Sequence, residues 1–134
     1  MHKMKAILLS VALLALTACS VRPDGSNGAR RDFVLSGVGY EQAYQRALDF
    51  ARTCHTGGGI FKHLTVTNEQ FASSREAYVH LAYGGSSMPE QINIKGGPHN
   101  DVQVSVVVIG RGMWDTRELD AAQRSIESGT PSCR

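Results

Sequence analysis

Metal-ligand spacings and long apolar runs are missing from this sequence, and its formal charge of +2 comes from two lysines among the first five residues. No uninterrupted apolar stretch approaches the about 20 residues that a helix needs to cross a bilayer. Of the 14 Lys and Arg residues, Lys3 and Lys5 lie near the start, and the 12 that remain balance 12 Asp and Glu. Beyond that start the formal charge is therefore zero, so the electrostatic footprint of phosphate-backbone binding is absent and nucleic acid is not an expected partner. Low hydrophobicity is not among the absences: 42% hydrophobic and 19% charged residues are the balance of a folding chain. A length of 134 residues allows one domain and leaves little room for a second.

Catalytic signatures are missing too. His55, His63, His80 and His99 match no zinc spacing such as His-Glu-x-x-His, and no Cys-x-x-Cys accompanies them. The run Gly57-Gly58-Gly59 follows a helical pattern instead of opening one, and no Gly-Lys-Ser/Thr comes after it, which excludes a phosphate cradle. No Gly-x-Ser-x-Gly elbow is present, and Asp101 beside His99 and Asn100 reads as a turn. Cys54 and His55 are adjacent, and neighbours on a helix point in different directions, so they cannot act as a nucleophile and its base. The expectation is a chain with no catalytic residue, no metal ligand, no cofactor and no identifiable small-molecule ligand.

What is present begins at the first residue. MHKMKAILLSVALLALTACS has a positive start, an apolar run from Ala6 to Leu16 and then small residues, the build of a secretory signal peptide. Leu16-Thr17-Ala18-Cys19 resembles the lipobox of bacterial lipoproteins. That resemblance covers the first 20 residues alone and implies cleavage before Cys19, a diacylglyceryl group on its sulfur and N-acylation (palmitate and similar chains). Several acyl chains, at about 0.8 kcal/mol per buried methylene, exceed what stable anchoring requires. Ser20 resembles the residue that directs lipoproteins to the outer membrane, with the inner membrane the lesser alternative. The expected location is thus the periplasmic face of the outer membrane.

Residues 1–18 read as the signal peptide, 19–31 as a lipidated N-terminus and flexible tether rich in Gly, Ser, Pro and Asn, and 32–134 as one domain. The domain opens with a strand around Phe33 and Leu35. A helix follows, with Tyr40, Ala43, Tyr44, Ala47, Leu48 and Ala51 on one stripe, His55 in its last turn and Gly57 as its left-handed cap. Strands are expected over 60–67, 76–85, 91–95 and 101–110, with 68–75 and 96–101 as connections. A closing helix starts at Asp115-x-x-Glu118, which resembles a capping box, buries Leu119, Ala122 and Ile126, and ends at Gly129 and Pro131. The order β-α-β-β-β-β-α gives an α+β fold: a small, mainly antiparallel sheet with two helices on one face.

With Cys19 lipidated, Cys54 and Cys133 are left in an oxidising compartment, where a disulfide closing the domain is expected. The second face of 101–110 carries Gln103, Ser105, Val107 and Ile109, and becomes apolar at its far end, with Tyr78 and His80 sharing that side. Either the segment 84–100 buries Val107 and Ile109, or they form a partner surface with Tyr78 and His80. The reading that follows is a membrane-anchored, non-enzymatic cell-envelope module that binds another envelope protein in an accessory or sensing role. The alternative is a periplasmic enzyme or enzyme inhibitor with a cleft no motif reveals.

Overall fold

The chain is described here from a computed structural model covering residues 28–56, 64–84 and 87–134. The expected signal peptide, the expected lipidation position Cys19, most of the expected tether, the Gly57-Gly58-Gly59 run and His63 lie outside the described residues. Among the described residues no helix is long and apolar enough to cross a membrane.

The elements are β1 (Ala29–Ser36), α1 (Tyr40–His55), β2 (Leu64–Phe71), β3 (Glu76–Tyr83), β4 (Ser87–Gly96), β5 (Asp101–Val108) and α2 (Thr116–Ser128). They form one antiparallel sheet in the order β1-β5-β4-β3-β2. β2 to β5 are a meander, in which each strand pairs with the next through a short turn. β1 and β2, adjacent in sequence, occupy opposite edges, so α1 carries the chain across the whole sheet. The expected α+β class, element order and helices on one side are all present.

Period-two alternation decides which strand face is buried. Val102, Val104, Val106 and Val108 of β5, Ile92 and Ile94 of β4, and Ala77, Val79 and Leu81 of β3 all turn toward the helices. Against them α1 lays Ala43, Tyr44, Ala47, Leu48 and Ala51, and α2 lays Leu119, Ala122 and Ile126. Phe50, outside the expected stripe, is also fully buried. Burying such side chains is worth about 1.5–3 kcal/mol each, which is the main force holding the two layers together.

Three boundaries differ from the sequence pattern. Ala29–Arg31, assigned to the tether, belong to β1, where pairing with β5 satisfies their backbone and Arg31 reaches Asp120 and Gln123 of α2 at 2.9 Å. β2 runs on through Asn68–Phe71, leaving only Ala72–Arg75 as the turn to β3. β4 begins at Ser87 instead of Gln91, so most of the segment 84–100 is a strand of the sheet and not a cover over it.

A disulfide joins Cys54 in the last turn of α1 to Cys133, 79 residues later, with Cα atoms 5.4 Å apart. It fastens the C-terminal tail across the end of the helical layer.

Candidate functional site

His55, Glu90 and Glu118 meet inside the molecule. Each stands on an apolar stripe of its own element. His55 is four residues beyond Ala51 on α1, Glu90 is two residues before Ile92 on β4, and Glu118 precedes Leu119 and lies four residues before Ala122 on α2. Strand register places Glu90 opposite Leu81 on one side and Val108 on the other, in the row that faces the helices. The helix and strand periods therefore carry all three inward, and all three are buried.

The geometry is close. His55 Nε2 lies 2.6 Å from Glu118 Oε1 and 3.7 Å from Glu90 Oε2. Phe50 meets the His55 ring edge-on at 5.4 Å and Trp114 packs against it at 5.2 Å, so the imidazole is held in its orientation by aromatic walls. Glu90 is wholly buried, and neither of its oxygens has a hydrogen-bond partner. Loss of water, and then the neighbouring charge of Glu118, push its carboxyl well above the ordinary carboxylate range. Arg134 opposes that shift: its Nε stands 3.8 Å from Glu118 Oε2 while its guanidinium bonds Asp115 at 3.0 Å.

Glu118 corrects a detail of the α2 start. Asp115 does cap the helix, accepting from Arg117 N at 3.0 Å, but Glu118 does not reach back to complete a capping box. Its side chain goes into the core to His55 instead. The disulfide is the frame of this arrangement, since Cys54 precedes His55 and Cys133 precedes Arg134. A cavity of about 180 Å³ opens beside it, lined by Phe50, Met113, Glu118, Arg134 and both cysteines.

Among the described residues, no helix packs on the opposite side of the sheet. β1 contributes Arg30, Asp32 and Val34, β5 Gln103 and Ser105, and β4 Asn93 and Lys95 to a shallow groove of about 500 Å³. The Ser105 hydroxyl opposite Asp32, and then Arg30, hold the Asp32 carboxyl below its usual range. Toward β2 the face turns aromatic: Phe71 meets Tyr78 edge-on at 6.0 Å, and Tyr78 stacks on His80 at 6.1 Å.

The four expected surface residues divide. Tyr78 and His80 are on this face and half-buried, with His80 Nδ1 3.0 Å from Met88 Sδ. Val107 is on the same face between Arg30 and Gln91, yet only 6% exposed. Ile109 lies past the end of β5, packs toward the helix-side core, and donates its N–H to the Pro89 carbonyl at 3.0 Å. They do not form one exposed patch. The large apolar residues that do stand out are Val34, 57% exposed, and Phe71, 47% exposed, near opposite edges of this face. The sequence pattern does not join them, because Val34 reads as part of a short strand and Phe71 falls in the stretch 68–75 that reads as a connection.

Comparison with known proteins finds no family model that matches the chain, and no curated protein matches it.

Proposed function

We propose that this chain is a lipid-anchored, non-enzymatic envelope module that binds another envelope protein through the helix-free face of its sheet. The observation that supports this is the exposure of Val34 and Phe71 on the one broad surface that neither helix covers. Exposed apolar side chains on a face that also carries Tyr78 and polar residues such as Arg30, Asp32 and Gln103 are the composition of a recognition surface, where apolar anchors sit within a polar surround. The tether supplies the rest of the argument. A Gly- and Ser-containing stretch of about 10 residues after Cys19, if it behaves as the tether its composition suggests, would have an r.m.s. span of roughly 18 Å, which places the partner close to the lipid surface.

Photo-crosslinking amino acids at positions 34 and 71, with Gln45 on the outer side of α1 as the control, test the reading in intact cells. Discrete adducts from 34 and 71, and none from 45, are expected. Adducts from 45 alone, or from none of the three, would refute it.

A further inference from the structure

We propose that His55 Nε2, Glu118 Oε1 and Glu90 Oε2 form a binding site for one divalent transition-metal ion of the zinc class. The ligand atoms come from α1, α2 and β4 and lie within 4.8 Å of one another in the core. Around a tetrahedral zinc ion, N and O donors stand roughly 3.3 Å apart. The separations of 2.6 and 3.7 Å to His55 straddle that value, so small side-chain adjustments complete the geometry.

Burial gives the independent reason. A wholly buried carboxyl that no neighbour hydrogen-bonds is costly, and a ligated cation would remove that cost. Arg134 approaches Glu118, but neither Glu90 oxygen has a hydrogen-bond partner although the residue is wholly buried. A dication with one neutral imidazole and two carboxylates makes a locally neutral centre. One nitrogen and two oxygens suit Zn²⁺ and similar ions, whereas Ca²⁺ requires 6–8 oxygen ligands, more than this cluster offers. The adjoining cavity of about 180 Å³ has room for water as a fourth ligand but is smaller than ordinary ligand pockets of about 300–1,000 Å³. The site is thus one for an ion and not for an organic substrate, and it stands apart from the sheet face.

The test uses the full chain in detergent, stripped with chelator and titrated calorimetrically with ZnCl₂, then with CaCl₂. One equivalent of Zn²⁺ should bind saturably, raise the melting temperature and leave no site for Ca²⁺. Glu90→Gln should weaken Zn²⁺ binding by more than about 100-fold, beyond what loss of a supporting group alone does. His99→Ala, altering an exposed turn residue, should leave it unchanged. X-ray absorption of the zinc-loaded native chain, which needs no variant to fold, should show a nitrogen and oxygen shell with one imidazole. The proposal is overturned by absence of saturable uptake, by a sulfur or multi-imidazole shell, or by undiminished binding in a folded Glu90→Gln chain.

Discussion

His55 Nε2 and Glu118 Oε1, 63 residues apart in sequence, lie 2.6 Å apart in a core where both are shielded from water. Such a pair stabilises only while both members remain, and its neighbour Glu90, wholly buried with neither oxygen hydrogen-bonded, is a liability in the metal-free protein. Glu90→Gln supplies an amide that can donate to Glu118, so the chelated variant should gain about 1–3 kcal/mol by urea denaturation. Glu118→Ala should lose about 3 kcal/mol or more, because it strips His55 of its carboxylate.

The Cys54–Cys133 bridge closes a loop between residues 79 apart in sequence, for which the chain-entropy account gives about 4.5 kcal/mol. Cys54→Ser together with Cys133→Ser should lower the melting temperature by well over 10 °C, at about 4–8 °C per kcal/mol. Reductant should lower the native chain toward the same value and leave the double variant unmoved. Differential scanning calorimetry of the two proteins, with and without reductant, decides it.

Helix α2 is held at both ends by local chemistry. Asp115 accepts from Arg117 N at 3.0 Å, and Gly129 takes a left-handed φ of 78° that lets its N–H reach Ser125 O. Asp115→Ala should cost about 1 kcal/mol. Gly129→Ala should cost about 1–2 kcal/mol, since a Cβ there is strained and would sit 2.9 Å from Arg46 Nε. Chemical denaturation of each variant measures both.

Val34→Ser with Phe71→Ser should leave stability within about 1 kcal/mol of the parent, because both side chains already stand in water. The same double substitution should abolish crosslinking from a photo-reactive residue at position 103, exposed on the same face. Val107→Glu behaves differently: at 6% exposure it buries a charge, and the expected result is a lowered melting temperature, which disqualifies it as a surface probe.

How much of this the sequence carries follows from periodicity. The valines at 102, 104, 106 and 108 and the stripe from Ala43 to Ala51 announce their elements because burial repeats at the strand or helix period. β4 was legible only from Gln91, since Ser87-Met88-Pro89-Glu90 is not an apolar alternation and Pro89 argues against a strand. Asn68–Phe71 extend β2 despite their polarity because pairing with β3, not burial, holds them there. The buried acid cluster escaped for a related reason. His55 in a last turn and Glu118 in a first turn are residue types that suit helix ends, so end chemistry accounts for them without reference to a core. Inward parity with Ile92 for Glu90, and placement on the buried stripes for the other two, are the signals that would have joined them.

The proposed binding surface matters only if the domain is kept at a membrane, and that proposal rests on lipidation of the Cys19 sulfur. Metabolic labelling with radioactive palmitate, followed by separation of membranes from periplasmic extract, compares the native chain with Cys19→Ser. The account predicts a labelled native protein confined to the membrane fraction and an unlabelled variant that leaves it. An unlabelled native protein released freely with the periplasmic contents would contradict the account.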